Sequence, residues 1–100
     1  NSRYIISFNN NIEFNVLHKK LICKEDNKEI LLTIKELMLL EYLIKNSNRI
    51  LSVEELNNYI WGNEYEATES AFKNLLNKLR SKIGKESILN ISGVGYRLNY

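Results

Sequence analysis

The 100-residue sequence predicts an α+β fold: four antiparallel strands, then three helices, then a terminal β-hairpin. Three observations carry this. The first 32 residues alternate in short apolar runs broken by turn-formers, the middle switches to a helical period behind two N-cap signatures, and the end returns to strand pattern around a Gly-x-Gly turn.

Residues 4–8, 12–14, 17–23 and 29–32 read as the strands, with Asn9-Asn10-Asn11 and Asp26-Asn27 as punctuation. They form an antiparallel meander that looks like a platform rather than a site. Thr33-Ile34-Lys35-Glu36 then fits a capping box, in which the Thr hydroxyl takes a free helix amide and the Glu reaches back to the cap. Leu37, Leu40, Leu43 and Ile44 follow at helical spacing, so the first helix runs to about Lys45 and stops at Asn46-Ser47-Asn48. A second capping box, Ser52-Val53-Glu54-Glu55, opens a helix carrying Leu56, Tyr59 and Ile60 and ending at Trp61-Gly62. A polar loop from Asn63 to Ala67 leads to a third helix that begins after Thr68 and stops at Gly84. Residues 87–91 and 96–100 are the last two strands, joined by Ser92-Gly93-Val94-Gly95, where two glycines allow a tight reversal.

The third helix is the most informative segment. At about 100° per residue, Phe72, Leu76, Leu79 and Ile83 share one line, and Ser70, Asn74, Asn77, Lys78 and Ser81 fall opposite. The polar side lacks carboxylates and holds the residue types suited to a DNA groove: Lys for phosphate or guanine, Asn for the paired donor and acceptor of adenine, Ser for either. Any solvated amphipathic helix shares part of this pattern. Charge placement favours the groove reading. Residues 1–66 hold 8 Lys/Arg against 10 Asp/Glu and residues 67–100 hold 6 against 2, so the net charge of +2 is −2 in the first two thirds and +4 in the last. A local basic patch is what a surface that meets phosphates needs.

The composition, 44% hydrophobic and 26% charged, is that of a folded soluble domain. One hundred residues supply one core and not two, so residues 1–100 are expected to be one domain. No apolar run approaches the ~20 residues of a membrane span and no signal-peptide pattern opens the chain, so a cytoplasmic protein without membrane partners is expected. The chain starts at Asn1 rather than Met, which points to a piece of a longer protein. Cys23, the single cysteine, lies in a strand pattern and reads as a core thiol. His18, the single histidine, sits in a predicted strand beside Lys19 and Lys20 and reads as a surface residue. Neither a metal site nor a cofactor site is indicated, and Glu54-Glu55 is explained by the favourable helix N-terminus. No catalytic residue is assigned and no enzyme is expected.

With those elements placed, the chain resembles the winged-helix output domain of OmpR/PhoB-type response regulators over essentially its whole length. The carriers are Thr33-Ile34-Lys35-Glu36-Leu37 with Leu39-Leu40, Ser52-Val53-Glu54-Glu55-Leu56 with Ile60-Trp61-Gly62, Leu79-Arg80-Ser81-Lys82-Ile83-Gly84, and Gly93-Val94-Gly95-Tyr96-Arg97-Leu98. The resemblance implies a winged helix-turn-helix whose third helix enters the major groove of double-stranded DNA, with the hairpin as a wing on the adjacent minor groove. It also implies that the loop from Asn63 to Ala67 faces RNA polymerase. A second copy of the chain would occupy a tandem half-site under the control of a receiver domain absent from this sequence. Carried over, the DNA-facing places are Ser70, Ala71, Asn74, Leu75, Asn77, Lys78 and Arg80, with Trp61 at the end of helix two and Asn90 and Ser92 in the wing. Ser81 joins them from the polar face, and Lys73 and Lys82 supply general electrostatics. Many members have Arg at Ser70, His at Leu75, a pair of Arg at Asn77-Lys78 and Arg at Ser92. The exchange of charge for amide implies weaker phosphate anchoring and an adenine-leaning code. The competing reading is a winged helix that docks on protein through the third-helix face or the loop, with Tyr65 as anchor, and never touches DNA.

Overall fold

The computed structural model describes residues 4–62 and 68–99. The element order is β1 (Ile5–Phe8), β2 (Ile12–Asn15), β3 (Lys20–Cys23), β4 (Lys28–Ile30), α1 (Ile34–Lys45), α2 (Val53–Trp61), α3 (Glu69–Ile83), β5 (Ile88–Ile91) and β6 (Gly95–Leu98). A single 3-10 turn, Lys85–Ser87, links α3 to β5. The first four strands form an antiparallel meander in chain order and the last two form a separate hairpin. This is the expected winged helix-turn-helix order.

Strand alternation puts one face of the meander into the core. Ile6, Phe14, Leu21 and Ile30 stand opposite one another across all four strands, and Phe8 pairs with Ile12 in the same inward set. The first turn runs as expected through Asn10 and Asn11, which both take positive φ, a conformation asparagine tolerates. Two boundaries of the meander differ from the sequence expectation by two residues or more. β3 begins at Lys20, not at residue 17, because reversing from β2 consumes residues 16–19: Lys19 adopts φ +58° and Asn15 Oδ1 accepts the His18 N–H at 2.9 Å. His18 is therefore a turn residue, and Leu17 is exposed. β4 ends at Ile30, leaving Leu31 exposed before the helix.

The helices start where their caps predict. Thr33 Oγ1 accepts the Glu36 N–H at 3.2 Å and Glu36 Oε1 accepts the Thr33 N–H at 2.9 Å, completing the first box. Only half of the second box forms. Ser52 Oγ accepts the Glu55 N–H at 3.1 Å, but the Glu55 carboxylate turns to the Arg49 guanidinium and to the Tyr42 hydroxyl, which donates at 2.6 Å. Tyr59 is half-exposed and stacks on Tyr42 with centroids 4.2 Å apart. Thr68 Oγ1 caps α3 through the Ala71 N–H at 3.0 Å, and Gly84 at φ +104° ends it.

The hairpin is tied to the helical layer by a contact that lies outside the local patterns. Leu51, between α1 and α2, pairs with Tyr96 as an isolated antiparallel bridge, with N–H to carbonyl distances of 2.7 and 2.8 Å in the two directions. Gly95 makes this possible, since a Cβ there would stand 2.1 Å from the Leu51 carbonyl oxygen. Tyr96 then packs against Phe72 of α3 with ring centroids 5.7 Å apart. The hairpin is thus set against the same helix that carries the polar face.

Candidate nucleic-acid interface

α3 divides as its periodicity predicts. Phe72, Leu75, Leu76, Leu79 and Ile83 are buried, while Ser70, Lys73, Asn74, Asn77, Lys78 and Ser81 are exposed. Fifteen residues give a helix of about 22 Å at 1.5 Å per residue, long enough to lie across a major groove of about 12 Å. The exposed set forms one face with two amides, two ammonium groups and two hydroxyls.

Individual side chains depart from that simple division. Leu75, at a place carried over as DNA-facing, is turned into the core at 8% exposure. Its isobutyl group gains by leaving water. Ala71 beside it is half-buried and packs on the core. The Ser81 hydroxyl donates to the Lys78 carbonyl at 2.8 Å, returning one hydrogen bond to its own helix. Arg80 is half-buried on the flank, where its Nη2 donates to the Lys85 carbonyl at 3.1 Å and braces the 3-10 turn. Its Nε is buried with no hydrogen-bond partner.

Lys82 is not a general surface charge. Its Nζ bonds Glu36 Oε1 at 2.5 Å and the Leu31 carbonyl at 2.8 Å. Glu36 is buried, and burial pushes its carboxyl pKa upward. The bonds from Lys82 and from the Thr33 amide outweigh that and hold the pKa below the ordinary carboxylate value. The last turn of α3 is therefore locked to the first turn of α1. The signal was present in the sequence only as a Glu at the third position of a cap and a Lys far downstream, with nothing local to join them.

Trp61 closes α2 at 6% exposure, so its ring is part of the core edge rather than a free face. Above it lies a cation that the sequence reading passed over. Lys35 Nζ stands 5.5 Å from the Trp61 ring centroid and donates to the Ile60 carbonyl at 3.3 Å. In the wing, Asn90 and Ser92 are exposed, Gly93 sits at φ +75° in open space, and Val94 is the exposed tip. The loop from Asn63 to Ala67, with Tyr65, lies outside the described residues.

Among the described residues no group of three or more His, Cys, Asp and Glu could hold a metal ion, and no helix is long and apolar enough to cross a membrane. Cys23 is a free, half-buried thiol packed against the core through β3.

Residues 27–98 match the family described as transcriptional regulatory protein, C terminal. The chain is 35% identical over 79 residues to the regulatory protein VanRB of Enterococcus faecalis, covering 79% of this chain and 35% of that protein. It spans about a third of the length of the curated relatives it matches. Among solved structures, the DNA binding domain of the response regulator AdeR, crystallised in complex with an intercistronic region, shares 29% identity at a TM-score of 0.68, covering 90% of this chain and 95% of that one. The response regulator DrrB of Thermotoga maritima, an OmpR/PhoB homologue, superposes at a TM-score of 0.78 over 97% of this chain and 45% of that one. At 20% identity this match speaks to the fold alone.

Proposed function

Since this chain belongs to the family of C-terminal domains of transcriptional regulatory proteins, we propose that it binds double-stranded DNA by sequence and regulates transcription as the output domain of a bacterial two-component response regulator. The observation that carries the reading is the exposed face of α3, where Asn74, Asn77 and Lys78 project from a helix whose other side is locked into the core. In this reading α3 enters the major groove and β5–β6 is the wing, with Asn90 and Ser92 nearest the backbone. Asn74 and Asn77 read bases, Lys78 reads a base or holds phosphate, and Ser70, Lys73 and Ser81 support them from the rim. Arg80 positions the end of α3 before it contacts DNA, and Trp61 forms the floor beneath Lys35.

A single module of this class buries only about 600–1,000 Å² on DNA, so a second copy on a tandem half-site is part of the proposal. The loop of residues 63–67 as a contact for RNA polymerase, the cytoplasm as the compartment, one domain over residues 1–100 and the lack of enzymatic activity belong to it as well.

The test is salt-dependent binding. Fluorescence anisotropy with duplexes selected from a random pool should give affinity that falls steeply with salt. Asn74→Ala and Asn77→Ala should lose discrimination between selected and random duplexes while keeping the salt slope. Binding that is absent at low salt, or indifferent to salt, would support the protein-docking alternative instead.

A further inference from the structure

The polar face of α3 is bordered by a cation on each side, and both are committed within the domain. At about 100° per residue, Arg80 and Lys82 fall roughly a quarter turn to either side of the line through Ser70 and Ser81. In a helix lying in a major groove, the central positions meet base edges and the flanks meet the phosphate strands that border the groove. The flanking charges are therefore the ones placed for phosphate. Yet Arg80 Nη2 donates to the Lys85 carbonyl at 3.1 Å, and Lys82 Nζ donates to Glu36 Oε1 at 2.5 Å and to the Leu31 carbonyl at 2.8 Å. Glu36 lines the groove between α1 and α3 together with Asn74 and Lys78, so this carboxylate stands beside the reading face.

We propose that Glu36 is a positioning residue for DNA binding that itself never touches DNA: its carboxylate holds the Lys82 ammonium away from the phosphate strand on the α1 side of the groove. The inference rests on the reading of α3 as the DNA-entering helix. The unequal burial of the pair shows which partner controls the other. The Glu36 side chain is 2% exposed and that of Lys82 is 27% exposed. If Lys82 left for a phosphate, Glu36 would remain a buried charge without its partner, which is strongly unfavourable. Lys82 carries its charge on a flexible four-carbon stem already in part at the surface, so without that carboxylate it can turn outward. Lys78, one turn earlier on the same side of the helix, is exposed beside the groove. Two lysines of one helix thus have different standing toward DNA because a residue of α1 holds one of them. A single copy then makes one phosphate contact fewer than its basic residues suggest, which leaves its occupancy of a site more dependent on a second copy.

A purely structural ion pair changes the melting point when it is cut, whereas a withheld cation also changes the dependence of binding on salt. Glu36→Gln keeps an oxygen for the Thr33 amide but removes the charge that holds Lys82. It should tighten binding by the same factor on selected and mixed-sequence duplexes and steepen the slope of log affinity against log salt by about one. Between 50 and 200 mM salt the variant should then lose about 3.5-fold more affinity than the wild type. Lys82→Gln should leave the wild-type slope unchanged, and Glu36→Gln with Lys82→Gln should return the slope to the wild-type value. Glu25→Gln, which removes the same charge from the exposed turn between β3 and β4, is the control and should not steepen it. Anisotropy titrations over a salt series, with a thermal melt of each variant, read all of this. If folded Glu36→Gln keeps the wild-type slope, the pair is only a brace between α1 and α3 and the proposal is wrong. If Lys82→Gln alone flattens the slope, Lys82 already meets DNA and nothing is withheld. If the double variant stays steep, or Glu25→Gln steepens the slope equally, the added counterion does not come from Lys82 and the proposal is again overturned. If the wild-type chain shows no salt-dependent duplex binding, the DNA reading itself fails, and this inference with it.

Discussion

Gly95→Ala is the sharpest test of how the wing is held. A Cβ at Gly95 would meet the Leu51 carbonyl oxygen at 2.1 Å and its carbonyl carbon at 2.7 Å, so β6 must retreat from the segment between α1 and α2. Retreat breaks the two bonds of the Leu51–Tyr96 bridge, worth about 0.5–1.5 kcal/mol each. It also disturbs the Tyr96–Phe72 ring contact, worth about 0.5–1.5 kcal/mol. The expected loss is about 2–4 kcal/mol, which in a domain of this size lowers the melting point by about 10 °C or more. Gly93→Ala is the matched comparison. At φ +75° with nothing within 4 Å, it meets only the left-handed backbone penalty of about 1–2 kcal/mol. Both substitutions restrict the unfolded chain alike, so that contribution cancels between them. Guanidinium unfolding followed by circular dichroism, with thermal melts, measures both variants. Both positions have positive φ, +157° at Gly95 and +75° at Gly93, so a Gly95→Ala protein no less stable than Gly93→Ala would refute the claim that the close approach to Leu51 adds to the backbone requirement for glycine.

Three further outcomes are expected. The Arg49 guanidinium and then the Tyr42 hydroxyl hold the Glu55 carboxyl at about 2 instead of 4.5, against a smaller opposing effect of desolvation. Because the folded value is the lower one, the stabilisation is complete above pH 4.5 and is lost as pH falls toward about 2. An NMR titration should show the Glu55 midpoint rising in Arg49→Gln, and an unmoved midpoint would assign the shift elsewhere. Lys82→Met leaves the buried Glu36 carboxylate without its counter-charge and should cost about 1.5–3 kcal/mol, part of which Lys82→Met with Glu36→Gln recovers; a double-mutant cycle with no coupling contradicts the lock between α3 and α1. Ser92→Arg should tighten binding most on operators with an A-tract flank, where a narrow minor groove attracts arginine, and add about one counterion to the salt slope. No gain on that flank in anisotropy titrations, with an unchanged melt, would place the wing away from the minor groove.

What the linear sequence determined by itself is the set of features that depend on neighbours within about four residues. The Thr33 and Ser52 caps, the helical periods of α1 and α3, the Asn10-Asn11 turn and the split of α3 into apolar and polar faces all follow from local hydrogen bonding and a repeat of 3.6 residues. The family resemblance was legible for the same reason, because it is carried by short motifs at fixed spacing. Tertiary structure decided whatever joins residues distant along the chain. Glu55 meets Arg49 and Tyr42 in place of its own cap, Lys82 is taken by Glu36 across 46 positions, and Leu51 receives Tyr96. Lys35 comes over Trp61 in the same way. A charged or aromatic side chain has several partners of nearly equal worth along the chain, and only packing of the helices selects which of them lies within reach.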